Sequence, residues 1–574
     1  MTFTSNDPAR CAEAIVGRVG RDIRLAIPIG IGKPVLLVNA LYRLAEADRS
    51  IRLNIFTGLS LARPRYRTSL EERFAKPLLD RLFASYPDLD YTAALRAGTL
   101  PPNVEVTEFF LQAGAWLGNA NVQQHYTSLN YSRVGPHLER IGTNVMAQLV
   151  APEPHGGAKL SLSSNTDVTL DLMPYIARRR RQGKPIVFAG ELNANLPYMP
   201  GEAELPRDDF DVLVEPPYPH YDLFATPKEP VSLADYAMAL HAATLIEDGG
   251  TLQLGIGSFA DALAHALILR HTRNAEFRAL LAKLGTQPSS DAELEPFRIG
   301  LYGCTEMLVD AFLALRRAGI LHRRVTDRSG RSAVLHAGFF VGNQAFYREL
   351  REMPDQGLAD IAMTSISFTN TLDGDEALKR EQRRGARFVN TAMTVTLLGA
   401  ASSDMLEDGR VVSGAGGQHD LAVVEGGAEL EALVQLADPA DLVEAGEIAR
   451  RAVEQVRAHR IEMQTRDQRD QIARGFVEAA EFRRADIDVL VVGLGAGRKA
   501  DRGIDELVAE LVRHHVEIPP IRSGVVELRP ARLAAPELDE AEARMGAIRD
   551  DERDEFQPLV VEAVRRGAAP GRSS

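Results

Sequence analysis

The chain has 574 residues, 45% hydrophobic and 25% charged, with a net charge of −13, so two or three globular domains are expected. That acidic balance argues against nucleic acid as a partner, because phosphate binding needs a basic face. No stretch offers the ~18 uninterrupted apolar residues of a membrane span.

The N-terminus MTFTSNDPARCAEAIV lacks the basic and apolar regions of a signal peptide, and a cytoplasmic location is expected. Strand and helix then alternate. DIRLAIPIGIGKPVLLVNALYRLAEA reads as strand, Gly-rich turn and helix, and IRLNIFTGLSLARP as the next strand with its loop. NVMAQLVAP and KPIVFAGELN are short apolar runs of the kind buried in parallel sheets. Six prolines between Leu205 and Pro230 break regular structure and place a domain boundary there, although DVLV within it can form a strand. Ser232 is the expected N-cap of a helix in VSLADYAMALHAATLIEDGG. Strand TLQLGI, helix SFADALAHALILRH and strand RIGLYG follow, so a second α/β unit starts near Val231. Beyond about Glu425 the text is charge-rich and helical, with Phe476, Phe482 and Phe556 as its aromatic residues.

Four stretches carry chemistry. LQLGIGSFADALAHAL sends a strand into Gly255 and Gly257 and opens a helix at Ser258, with Asp261 in a capping-box-like position. Glycines let a ligand approach the backbone, and free amides at a helix start favour anions such as pyrophosphate. A tight connection without ligand has the same pattern. In GLYGCTEMLVDAFLAL, helical spacing from Met307 onward puts Glu306 at or near a strand-to-helix turn, where α/β proteins place ligands. The competing reading is a first-turn acid favoured by the helix dipole. Cys304 is either a rival nucleophile or a small buried thiol, and His265 and His336 are candidate bases. Cys11 and Cys304 form neither a disulfide framework nor a metal-ligand spacing.

VVSGAGGQHD brings Gly414, Gly416 and Gly417 close to a ligand or another strand. DVLVVGLGAGRKADRG sets Gly493, Gly495 and Gly497 after a strand, but GxGxG is not the dinucleotide spacing GxGxxG. Glu517, about where a ribose-binding acid should fall, lies in text that reads poorly as a strand.

LQLGIGS, GLYGCTEMLVD and SGAGGQ, in that order, resemble the acetyl-CoA hydrolase/transferase family, in the branch with acetate, succinate and 4-hydroxybutyrate CoA-transferases. GIGKPVLLVNALY, WLGNANVQQHYTSLNYSRV and LSLSSNTDVTLDLMPY resemble its first domain, so the likeness runs from about Val16 to Asp420. It implies two CoA-transferase-type (NagB/RpiA/CoA-transferase-like) α/β domains, 1–215 and 231–424, with the active site between them. A divergent, aromatic-poor region spans 425–574.

By the same resemblance Glu306 attacks the thioester of a small acyl-CoA such as acetyl-CoA. The resulting anhydride passes to a glutamyl-CoA thioester, which a carboxylate acceptor or water resolves. Gly255, Gly257 and Ser258 would hold part of CoA, and Gly416 and Gly417 would line the site near the thioester. Relatives often carry an asparagine as oxyanion donor after the strand preceding GxGG; here Ser402 or Ser403 stands in its place. Coenzyme A is substrate and product, no cofactor or metal is expected, and the expected assembly is a homodimer without nucleic-acid or membrane partners.

After Asp420 the family's KGGxxS segment and VTEYGIADLRG-like run are missing. A divergent terminus and a reading-frame error in a high-GC gene both produce such text. Two alternatives stay open: an NAD-dependent oxidoreductase using Gly493–Gly497, and a non-catalytic CoA-binding protein.

Overall fold

The computed structural model describes residues 2–420, apart from 67, 155, 218, 229, 285–291, 328–329, 396–400 and 419, together with strands at 430–435 and 488–494. Its first sheet holds β1 (Phe3–Ser5), β2 (Asp22–Ala26), β3 (Arg52–Thr57), β4 (Val104–Glu108), β5 (Val145–Pro152), β6 (Lys159–Ser161), β7 (Val187–Leu192), β8 (Glu204–Pro206) and β9 (Val212–Val214). The order β1-β9-β7-β5-β2-β3-β4 is parallel throughout, with β6 antiparallel to β5 and β8 antiparallel to β6. Strands β5 and β7 are buried along nearly their whole length. Burial on both faces is what their near-continuous apolar text encodes.

The second sheet holds β10 (Thr251–Leu254), β11 (Tyr302–Leu308), β12 (Leu335–Phe340), β13 (Ile361–Met363), β14 (Ala386–Ala392), β15 (Leu430–Gln435) and β16 (Asp488–Leu494). Its order is β13-β12-β11-β10-β14-β16-β15, again parallel. Both sheets belong to one compact unit, Met1–Ala496. The helices that matter for the site are α1 (Val35–Ala47), α2 (Val134–Arg140), α3 (Asp167–Arg181), α4 (Leu233–Ala242), α5 (Ser258–Thr272), α6 (Asp310–Arg317) and α7 (Ile366–Asn370).

Several local expectations change. DVLV forms β9, between β1 and β7, so the chain leaves the first sheet only after Val214, inside the proline-rich stretch. Helix α6 starts at Asp310 rather than Met307, because Met307 and Leu308 continue the ladder opposite Phe339 and Phe340. Glu306 therefore lies within a strand, and the first-turn helix reading falls. Ser232 caps α4 in a reciprocal box with Asp235. Asp261 makes no such box; it pairs at 2.8 Å with Lys228, which also reaches Asp310 at 2.7 Å. The strand at 430–435 lies in text that reads as helical.

Loops at the carboxyl ends of β2 and β3 are tied by a buried lysine. The Lys33 ammonium donates to the Pro28 carbonyl at 2.7 Å and the Gly58 carbonyl at 2.5 Å. Its burial lowers the ammonium pKa to about 7. Replacing it with methionine leaves the single Thr57 hydroxyl, 3.2 and 3.3 Å from the Pro28 and Gly58 carbonyls, to serve both, so one enclosed carbonyl loses its donor, at roughly 1–3 kcal/mol. Lys33→Met should therefore lower the urea midpoint by an equivalent of roughly 1–3 kcal/mol with an unchanged slope. An unshifted midpoint would show that the tie carries no stability.

Candidate active site

Parallel sheets place ligands at the carboxyl ends of their strands, and the candidate residues gather at that edge of the second sheet. Strands β10 and β11 are neighbours, with Leu252 opposite Gly303. Thr305 Oγ1 lies 3.4 Å from the Leu254 carbonyl, immediately before the Gly255 loop. Glu306 keeps a partly exposed edge, yet protein surrounds its carboxyl. That desolvation pushes the pKa up to about 8, against an Asn370 hydrogen bond that favours the anion. Asp420 and Asp167 add to the rise.

Asn370, the last residue of α7, donates from Nδ2 to Glu306 Oε2 at 2.9 Å. The glycine loop closes against the same oxygen. A Cβ on Gly417 would fall 1.6 Å from Glu306 Oε2 and 2.2 Å from Asn370 Nδ2, so any side chain there would displace one of them. Gly416, at φ +56, lies on the other flank, with its would-be Cβ 3.8 Å from Glu306 Oε1. Gly414 packs against the backbone of Phe109 and Phe110.

The first sheet's loops complete the enclosure. Tyr131 N donates to the Gly416 carbonyl at 2.9 Å. Ser132 donates to Asp420 from its backbone at 2.9 Å and from its hydroxyl at 2.6 Å. Residues 164–166 dock on β12: Phe340 N donates to the Ser164 carbonyl at 3.0 Å, and Thr166 Oγ1 to the Gly338 carbonyl at 3.0 Å. Asp167 follows, buried, and accepts from the Tyr131 hydroxyl. Burial pushes Asp167 up to about 6 despite hydrogen bonds from Tyr131, Asn165 and Val168.

Gly255, Gly257 and Ser258 follow the end of β10, the strand adjacent to the one that carries Glu306. Ile256 is half exposed, and α5 opens after Gly257 at φ +136 without a side-chain cap. Ser402 and Ser403 are engaged elsewhere. Ser402 donates to Asp404 at 2.9 Å, and the Ser403 hydroxyl lies 2.7 Å from Gln418 Oε1 and 3.0 Å from the Thr391 carbonyl. Among the described residues, the side-chain donor to Glu306 is Asn370.

Cys304 is a core thiol packed with Tyr302 and Val325. His336 is buried, with Nδ1 2.8 Å from the Tyr302 hydroxyl, and burial lowers it to about 4, so it stays neutral. His265 lies exposed on α5 against Tyr236. Gly493 sits inside β16, opposite Ala392 and Val434, not in a phosphate-binding turn. Gly495, Gly497 and Glu517 lie outside the described residues.

Residues 342–438 match the acetyl-CoA hydrolase/transferase C-terminal domain. A 413-residue match, 23% identical, joins 71% of this chain to 76% of the 4-hydroxybutyrate coenzyme A transferase of Clostridium kluyveri. Both matches support the acetyl-CoA hydrolase/CoA-transferase family for this chain. Its fold is shared with two point mutants of RipA, a protein of Yersinia pestis, at TM-scores of 0.53 and 0.52. Identity is 20% and 19%, over 76% of this chain and 82% of each mutant. The matched family domain contains Asn370, Gly416 and Gly417, the residues that enclose the Glu306 carboxyl. It also runs past Asp420, where the recognisable motifs stop.

Sequence reading missed Asn370, Tyr131, Asp167, Ser132 and Asp420. Tyr131, Ser132 and Asp167 lie in two segments that carry the family likeness, and polar residues within such text were the available signal. SFTN around Asn370 offers no comparable mark.

Among the described residues, no helix is long and apolar enough to cross a membrane, and no cluster of three or more His, Cys, Asp or Glu could hold a metal.

The raised carboxyl has a thermodynamic signature. Between the ordinary value of 4.5 and about 8, the folded protein holds a proton at Glu306 that the unfolded chain releases. Stability from this group is therefore full below pH 4.5 and is lost as pH rises through 8. Glu306→Gln removes that titration, so its Tm should gain on wild type steadily from about pH 5 to pH 8 and then run parallel. A variant that loses ground as pH rises would show a stabilised anion instead.

Proposed function

We propose that this protein cleaves or transfers the thioester of a small acyl-CoA, such as acetyl-CoA, with the Glu306 carboxylate as nucleophile. The observation that carries the reading is the enclosure of that carboxyl at the end of β11, 2.9 Å from the Asn370 amide and against Gly417. A carboxylate is a weak nucleophile in water, and fixed orientation in a water-poor crevice offsets that weakness.

Attack by the carboxylate oxygen forms a C–O bond as the C–S bond breaks, giving an acyl-glutamyl anhydride and CoA thiolate. The thiolate then attacks the glutamyl carbonyl, releasing the free acid and leaving a glutamyl-CoA thioester. An acceptor carboxylate retraces both steps and departs as its own CoA ester; water in its place gives hydrolysis. Each tetrahedral intermediate carries an oxyanion. The Asn370 amide and the main chain of Gly416 and Gly417 are the groups best placed to receive it. The Gly255–Ser258 loop, with the amides of the α5 N-terminus, suits the anionic pyrophosphate of CoA. No metal or organic cofactor enters this scheme.

The raised pKa sets the pH dependence. The anion is the attacking form, so kcat/KM should climb about tenfold per pH unit below pH 8 and level off above it. Glu306→Gln should remain folded and lose several orders of magnitude in turnover, because the amide preserves shape but supplies no anionic oxygen. Borohydride reduces a glutamyl-CoA thioester. Wild type treated with acyl-CoA and borohydride should therefore become inactive and modified at Glu306, while the Gln variant stays unmodified. Near-normal turnover by Glu306→Gln would end this mechanism.

A further inference from the structure

A narrow cavity enters the first sheet's core beneath α2 and α3, beside the crevice that holds Glu306. Ile29, Phe109, Val134, Met146 and Leu172 supply much of its apolar wall, and its volume is about 30 Å³, the space of roughly two water-sized groups. Four polar side chains also line it: Tyr131, Gln148, Asp167 and Thr169. All four are engaged with one another or with nearby backbone and side-chain groups. The Tyr131 hydroxyl donates to Asp167, which also accepts from Asn165 Nδ2 at 3.0 Å and from Val168 N at 2.7 Å. Thr169 Oγ1 donates to Gln148 Oε1 at 2.6 Å, and Gln148 Nε2 reaches the Leu162 and Asn165 carbonyls at 3.3 and 3.4 Å. No lysine or arginine is among the described residues of the wall.

Tyr131 and Asp167, at one end of the cavity, lie within the electrostatic reach of Glu306. Tyr131 N is bonded to the carbonyl of Gly416, which flanks the Glu306 carboxyl. A Cβ on Gly338 would lie 3.2 Å from the Glu306 main-chain carbonyl oxygen and 3.6 Å from Asp167 Cβ, so one glycine separates the Glu306 backbone from Asp167.

We propose that this cavity receives the acyl chain of the CoA ester, and that it selects short uncharged acyl groups against dicarboxylic ones. This rests on Glu306 as the nucleophile. A malonyl or succinyl chain would bring a second carboxylate into an apolar pocket whose polar groups are already paired. That carboxylate would find Asp167 on the wall, while the Lys33 ammonium lies behind Pro28 and is already bonded to the Pro28 and Gly58 carbonyls. Burial of an unpaired charge opposes binding, and so does the like charge. A methyl or ethyl group displaces water from the same wall without leaving a polar atom unsatisfied.

The test is kcat/KM for acetyl-, propionyl-, butyryl-, malonyl- and succinyl-CoA, with wild type and three variants. The expected result is at least 100-fold preference for acetyl- and propionyl-CoA over both dicarboxylic esters. Asp167→Asn should narrow that ratio at least tenfold, by removing the repelling charge. Ala147→Val, which fills the cavity, should depress butyryl-CoA turnover at least tenfold more than acetyl-CoA turnover. Leu172→Ala, which enlarges it, should do the reverse; the opposed directions let one variant decide if melting curves show the other unfolded. Dicarboxylic esters consumed within tenfold of propionyl-CoA would overturn the selectivity. Folded cavity variants with an unchanged chain-length order would overturn the placement of the acyl chain. If no ester of either kind is consumed, the nucleophile reading itself falls and takes this one with it.

Discussion

A carboxyl group surrounded by protein, with one neutral amide donor and two further carboxylates in its field, is the constraint on which the site depends. Water would hold Glu306 as an ordinary, well-solvated anion of low reactivity. Here desolvation works against the charge, while Asn370 supplies a single hydrogen bond to the charged form. Asp167 and Asp420 press the same way as burial. The group is left poorly solvated and held in one orientation, which is what an attacking carboxylate needs.

Both sheets are required to build that enclosure. β11 fixes Glu306 in a parallel ladder with β12, whose pairs Thr305–Ala337 and Met307–Phe339 flank it, while β10 pairs with the start of the same strand at Tyr302 and Gly303. Residues 164–166 carry the first sheet onto β12 next to it, and the Gly414–Gly417 loop closes over Phe110 and Tyr131 from the other direction. Gly417 has a steric role that its neighbours do not share. Its missing side chain is the space occupied by the Glu306 carboxyl. Lys33 acts one layer further out, holding the loops after β2 and β3 at the same edge of the first sheet.

Much of this was legible in the sequence, for identifiable reasons. Glycines mark the break between β10 and α5, so the helix start at Ser258 was readable from Gly255 and Gly257 alone. The ordered motifs pointed to Glu306 and to Gly416 and Gly417, and the structure brings these three together. The end of β11 was not legible, because Leu308, Ala311, Phe312 and Leu315 suit helical spacing although Leu308 still belongs to the strand. Asn370 was hidden for a different reason. The expected donor was sought just before the glycine loop, at Ser402 and Ser403, whereas the amide arrives from α7, a contact made by tertiary packing. Tyr131 and Asp167 lay inside recognisable segments, but only the docking of the first sheet on β12 reveals that they lie near the Glu306 carboxyl.

The central claim is that Glu306 takes part covalently, and its own oxygen atoms report on that most directly. Many turnovers would be run with acyl-CoA and an oxygen-18-labelled carboxylate acceptor, and in parallel with acyl-CoA in oxygen-18 water. The protein would then be digested and the peptide containing Glu306 weighed. If the carboxylate forms and resolves a glutamyl thioester, acceptor or water oxygen must end in that side chain, and the peptide gains label in at least one arm. Continued turnover with an unlabelled Glu306 peptide in both arms would contradict the account.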